Sequence, residues 1–190
     1  GLVGSEMCIR DSYKTPEGAE FDRERILDEI VSSQNTDGGF SLSKGESDID
    51  ITAMALQAIA PYYNDFSRDD VRKSVDKAVE YLSGKQDSSG TFGSAEADSQ
   101  VVIALCSLGI DPEADNRFVK SSDLLTALLS YQNSDGGFSH EKGGDSDELA
   151  TGQALCALAA QKRFELTMRR IYDMRAVSYT HLTLPTTERV

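Results

Sequence analysis

The stretch SQNTDGGFS at positions 33–41 returns almost unchanged as YQNSDGGFS at 131–139, and a degenerate copy, KQDSSGTFGS, lies between them at 85–94. The copies register on Gln34, Gln86 and Gln132, and equally on Phe40, Phe92 and Phe138. Self-similarity at a spacing near 50 residues is the mark of a repeat architecture, in which each unit buries its apolar face only against its neighbours. No other feature narrows the possible folds as much.

The flanks of each copy are alike. Upstream lies an amphipathic pattern of helical period: Ile26, Leu27, Ile30 and Val31 in the first repeat, Val71, Val75, Ala78, Val79 and Leu82 in the second, and Leu124, Leu125, Leu128 and Leu129 in the third. Downstream come TAMALQAIA (52–60), VVIALCSLG (101–109) and TGQALCALAA (151–160), apolar nearly all round and rich in alanine. A helix of that kind must be buried on most sides. Each repeat therefore reads as a half-exposed helix, a glycine turn and a buried helix. The repeats span about 21–64, 70–112 and 121–164. Asp-Gly-Gly suits the turn, because glycine accepts the left-handed backbone that closes a helix and aspartate favours turns. The phenylalanine after it is expected to plug the space between helices. Asp145 with Glu148, and more weakly Ser47 with Asp50, have capping-box spacing, and Pro61 and Pro112 stand as stops. No segment alternates like a strand, so the expected class is all-α.

Other readings of the repeated motif fit less well. A phosphate loop would need G-K-[ST], which is absent, and an acidic setting repels phosphate. Asp37 and Asp135 offer oxygens to calcium, but the EF-hand pattern is not met. The two ends are read differently from the rest. Glu6 to Ser12 can be encoded by DNA whose reverse complement translates as Val177 to Leu182, and both strings resemble translated sequencing-library adapters. Residues 1–12 and 176–190 are accordingly set aside as non-native tails. This leaves 13–175 as the native part, expected to be a fragment of a longer protein. Cys8 and His181 go with the tails. The net charge of −13 becomes −12 once the tails' three acids and two arginines are removed. That acidity argues against nucleic-acid binding. No run approaches the roughly 18 apolar residues of a membrane span. Cys106 and Cys156, within ALCSL and ALCAL, read as buried small hydrophobes rather than a metal pair.

The spaced residues Gln34-Gly38-Phe40, Gln86-Gly90-Phe92 and Gln132-Gly136-Phe138, each followed by an alanine-rich inner helix, resemble the prenyltransferase and squalene-cyclase repeat over about 26–164. The resemblance implies an α/α toroid, with inner and outer helices in concentric rings. Three helix-turn-helix repeats make a partial toroid, which leaves further repeats of the same chain as expected partners. Ile171-Tyr172-Asp173-Met174 resembles the end of the toroid in bacterial secreted members, which implies an extracellular or cell-surface location.

What the resemblance implies about activity is tested residue by residue. Prenyltransferase β-subunits hold zinc with an Asp, a Cys and a His. Where they carry His-Thr-Cys this chain has Ala150-Thr151-Gly152, and His140 has no adjacent cysteine. No metal site is expected. Squalene-type cyclases use Asp-x-Asp-Asp-Thr-Ala, whose middle aspartate protonates an alkene. Asp48-Ile49-Asp50-Ile51-Thr52-Ala53 resembles it, with Ile51 in place of the last aspartate. Asp50 would be the proton donor. Read from the residues alone, Asp48 and Asp50 are acids favoured at a helix start. The chain has no Trp, and its inner helices carry few aromatics beyond Tyr62 and Tyr63, whereas a cyclase cavity needs π faces for its cations. The distantly similar cobalamin carriers share the toroid, but no cobalamin-specific pattern is present and no cofactor is expected. The favoured expectation is a noncatalytic binding or surface scaffold with no assigned catalytic residue and an unknown ligand. The alternative is a fragment of a squalene-type terpene cyclase with Asp50 as its acid.

Overall fold

A computed structural model describes residues 16–19, 22–43 and 45–173. The expectations for the tails, for Cys8 and His181 and for Met174 fall outside these residues. Among them are six α-helices: α1 (Arg23–Ser32), α2 (Ile49–Ile59), α3 (Asp69–Lys85), α4 (Ala95–Leu108), α5 (Leu124–Leu129) and α6 (Glu148–Glu165), with a 3-10 turn at Ala60–Tyr62 after α2. Strand pairing among the described residues is limited to isolated bridges within the corners. The even-numbered helices pack chiefly on one another, α2 on α4 and α4 on α6, while α3 lies against α2 and α5 against α4. This is the arc of inner and outer helices expected for a partial α/α toroid.

Burial follows the expected stripes. Val71, Val75, Ala78, Val79 and Leu82 all face the core, as do Leu27, Ile30, Leu124 and Leu128. Phe40, Phe92 and Phe138 are 2%, 9% and 1% exposed, so all three act as plugs. The inner helices differ from expectation at one edge. Eleven of the fourteen residues of α4 are buried, but only five of the eighteen in α6, where Leu149 and Leu155 are 62% and 59% exposed. α4 has an inner neighbour on each side, while among the described residues α6 has one. Leu129, at the end of α5, is likewise exposed. Cys106 and Cys156 are half-buried rather than buried. Burial nonetheless pushes the Cys106 thiol up to about 12, and its Sγ donates to Gln161 Oε1 at 3.3 Å.

The caps also depart from the capping-box reading. Asp48 caps α2 by accepting from Ile51 N at 2.9 Å, and Asp147 caps α6 by accepting from Ala150 N at 2.9 Å. Asp145 is not the cap. Ser47 instead donates to Asp37 Oδ1 at 2.6 Å and ties the turn to the helix start. α4 closes on Gly109 (φ +80), ahead of Pro112.

The three corners share one backbone pattern. The N–H groups of Gly38, Gly90 and Gly136 donate to the carbonyls of Asn35, Asp87 and Asn133, whose own N–H groups donate to the carbonyls of Gly39, Thr91 and Gly137. Asp37 and Asp135 each accept from a glycine N–H and a serine hydroxyl, which holds both carboxyls below the usual carboxylate range, the serine bond contributing most. These carboxylates serve the turn.

The motif glutamine has a role that spacing did not reveal. Gln34 Nε2 donates to its own corner at Gly38 O and to Ser74 O of the next outer helix, both at 2.8 Å. Gln86 bonds Gly90 O and, in the segment leading into α5, Phe118 O, both at 2.9 Å. Among the described residues Gln132 Nε2 meets Gly136 O alone, at 3.3 Å. The glycines show the same succession. A Cβ on Gly38 (φ +92) would lie 2.7 Å from Lys77 O, and one on Gly90 (φ +95) 2.7 Å from Ser122 O, whereas Gly136 (φ +88) has open space. Gly136→Ala is therefore expected to cost only the left-handed backbone, about 1–2 kcal/mol. Gly38→Ala adds a clash with the α3 backbone and should cost clearly more. Urea denaturation of the two variants tests this, and equal losses would refute the close approach.

Candidate functional site

The inner helices begin at one rim of the arc, and a shared lock sets their relative level. Phe40 N is held by Thr52 Oγ1 at 2.9 Å, Phe92 N by Asp98 Oδ1 at 2.6 Å and Phe138 N by Thr151 Oγ1 at 2.8 Å. Thr52, Asp98 and Thr151 are thus equivalent positions. Two residues before them stand Asp50, Glu96 and Leu149. Two residues after come Met54, Gln100 and Gln153, and five after, Gln57, Ile103 and Cys156.

Asp50 occupies the first turn of α2, beside the cap Asp48. Its Oδ1 is buried and has no hydrogen-bond partner. Burial raises its pKa above the ordinary carboxylate value, and the negative charges of Asp48 and Glu96 raise it further, opposed by His140. Among the described residues the other buried side-chain oxygens without partners are Ser74 Oγ and Gln86 Oε1, neither of them acidic. Across from Asp50, His140 Nδ1 lies 2.8 Å from Glu96 Oε2, and this hydrogen bond is the main reason the imidazole pKa is raised. The loop is anchored by Ala95 N donating to His140 O at 3.2 Å. The arrangement sets a desolvated carboxyl near a carboxylate–imidazole pair, which is suited to holding and delivering a proton.

Below this rim the concave side of α4 and α6 forms an open groove of about 520 Å³, lined by Gln100, Ile103, Leu149, Gly152, Gln153, Cys156 and Tyr172 together with Asp147 and Glu148. Zinc does not fit the positions where a prenyltransferase would hold it. Ala150 is buried, Thr151 Oγ1 is engaged with the Phe138 backbone, and Gly152 has no ligand atom. No group of three or more His, Cys, Asp or Glu among the described residues could hold a metal ion. No helix among them is long and apolar enough to cross a membrane.

The model of the prenyltransferase alpha-alpha toroid domain matches residues 8–182. The chain belongs to the prenyltransferase alpha-alpha toroid family. Over 143 residues this toroid is 32% identical to a drimenyl diphosphate synthase of Streptomyces showdoensis, covering 70% of the chain and 26% of that protein. It therefore spans about a quarter of that relative's length. Among solved structures it resembles the protein geranylgeranyltransferase-I of Candida albicans, complexed with GGPP, at a TM-score of 0.55 and 18% identity over 80% of this chain and 47% of that one. At that identity the likeness concerns the fold.

Sequence reasoning had reached Asp48 and Asp50 and separated their roles only by position. The structure separates them physically: Asp48 is engaged as the cap, and Asp50 keeps an oxygen without a partner. Asp98 was missed. It stands where the other repeats carry threonine, but its lock to the phenylalanine spans 6 residues against 12 and 13, which hid the equivalence.

Proposed function

We propose that this chain is the acid-bearing part of an isoprenoid cyclase in which Asp50 protonates an alkene. The observation that carries this reading is the buried, unpartnered Asp50 Oδ1 on a carboxyl whose pKa is raised by burial. An acid that protonates a carbon–carbon double bond must be kept protonated in a dry site. In the step, the Asp50 O–H bond breaks, the alkene π pair forms the new C–H bond, and a carbocation and the Asp50 carboxylate remain. His140 offsets part of that negative charge, whereas Glu96, with the larger effect, disfavours it and so helps to keep the acid protonated before the step. The relationship to a drimenyl diphosphate synthase supports an isoprenoid diphosphate as the substrate class.

One observation favours the noncatalytic scaffold instead. Ile51 stands where the cyclase motif has its last aspartate, and its N–H is engaged by the Asp48 cap. A surface scaffold of that kind would suit an extracellular location. The two readings separate in an assay with farnesyl diphosphate and with squalene. The cyclase reading expects cyclised product from the parent and at least about 100-fold less from Asp50→Asn, with the melting temperature unchanged. No product from the parent, or product indifferent to Asp50, favours the scaffold.

A further inference from the structure

A chain of amides with a fixed direction runs from buried Gln57 of α2 to the groove between α4 and α6. Gln57 Nε2 donates to the Gln100 backbone carbonyl at 3.1 Å and to Gln100 Oε1 at 2.8 Å. Gln100 Nε2 donates to Gln153 Oε1 at 3.1 Å. The orientation of an amide side chain is often a matter of assignment. Here the Gln100 carbonyl decides it, because a carbonyl can only accept. Gln57 must therefore present its NH₂, Gln100 its oxygen to Gln57 and its NH₂ to Gln153, and Gln153 its oxygen to Gln100. The ladder ends with the Gln153 NH₂ in the groove. Hydrogen bonds in series polarise one another, which strengthens the terminal donor.

We propose that Gln153 is a specificity-determining donor for a neutral oxygen, such as a hydroxyl, ether or carbonyl, on an isoprenoid held in this groove. The volume of about 520 Å³ falls within the range of small-molecule sites. Ile103, Leu149 and Cys156 supply an apolar wall for a hydrocarbon chain. Asp147 and Glu148 also line the groove, and their negative charges disfavour an anionic ligand. The oxygen that Gln153 meets is thus uncharged, and a diphosphate would sit elsewhere. Only the choice of an isoprenoid rests on the cyclase reading; the donor and its preference for a neutral acceptor come from the ladder and the carboxylates.

The test uses three probes of one chain length: farnesol, the hydrocarbon farnesene and farnesyl diphosphate. Farnesol is expected to bind more tightly than farnesene, to bind more tightly through Gln153 than farnesyl diphosphate does, and to shift the Gln153 side-chain amide resonance, assigned by its absence in Gln153→Met. That variant keeps the length of the side chain and removes the donor. It should weaken farnesol about fivefold to tenfold and leave farnesene unchanged. Gln100→Met cuts the ladder one step earlier and should weaken farnesol by a smaller factor. The proposal is overturned if farnesol does not bind, if Gln153→Met binds it as well as the parent, if the diphosphate binds tighter through Gln153, or if a second copy of the chain fills the groove and excludes farnesol. Binding is read without turnover. A chain that binds farnesol through Gln153 yet forms no cyclised product would remove the Asp50 assignment and leave this one standing.

Discussion

Truncating Phe138 to alanine is expected to cost the fold about 3–5 kcal/mol. The ring is 1% exposed and sits where the third corner meets α6. Its backbone is fixed from both sides, with its N–H held by Thr151 Oγ1 at 2.8 Å and its carbonyl accepting Asp147 N at 2.8 Å. The corner cannot collapse easily into the space the ring leaves, which puts the loss toward the upper end of the range. A domain of this size is stable by only about 5–15 kcal/mol, so the variant should stand near its unfolding threshold at 25 °C. Urea denaturation followed by helical circular dichroism measures the change. A loss under about 1 kcal/mol, as for an exposed aromatic, would show that the plug does not hold the corner.

The second large effect belongs to Asp98 and changes sign with pH. Its side chain is fully buried in α4. Phe92 N at 2.6 Å and Thr91 Oγ1 at 2.9 Å donate to it, and Thr91 in turn meets Tyr131 OH at 2.7 Å. Burial pushes this carboxyl up to about 7 even though those hydrogen bonds and the charge of Lys142 favour the ionised form, while Asp87 opposes it. An acid whose pKa is raised on folding stabilises the fold fully below its unfolded value near 4, and loses that contribution as pH rises to about 7. About three units at roughly 1.4 kcal/mol each put the cost above pH 7 at on the order of 4 kcal/mol. Asp98→Thr removes this cost, while the shorter side chain gives up the hydrogen bonds from Phe92 N and Thr91 Oγ1, worth about 1 kcal/mol each. The variant should therefore be more stable than the parent at pH 8 and less stable at pH 4, by on the order of 2 kcal/mol in each direction. Comparing variant with parent cancels the repulsion that a net charge of −13 brings to both. Parallel stability curves for the two proteins would refute a titrating Asp98.

The architecture could be read from the sequence because it is written three times. Gly38, Gly90 and Gly136 must adopt a left-handed backbone, Phe40, Phe92 and Phe138 must be buried beside them, and both requirements leave fixed residue types at fixed spacing. The site was less legible. Asp50 and Asp48 are the same residue two positions apart, and what separates them is that one carboxylate is engaged by an amide and the other keeps an oxygen in the dark. Neither state has a sequence signature. The Gln57, Gln100 and Gln153 ladder joins three helices at positions 43 and 53 residues apart, so no local window contains it. The exposed face of α6 escaped because an alanine-rich pattern states how much surface a helix can bury, but not whether a neighbour lies there to bury it.

The forward reach of the motif glutamine has a consequence for how such proteins lengthen over evolutionary time. Gln34 and Gln86 each bond a backbone carbonyl in, or just ahead of, the following unit, and a backbone carbonyl is offered by any sequence that folds into the same outer segment. A duplicated unit appended downstream would meet a predecessor already equipped to hold it, whatever side chains the newcomer carries. Inheritance of the corner motif alone then preserves assembly, and the concave residues are left free to diverge. A lineage built this way can change its chemistry by copying units first and rewriting their inner faces afterwards.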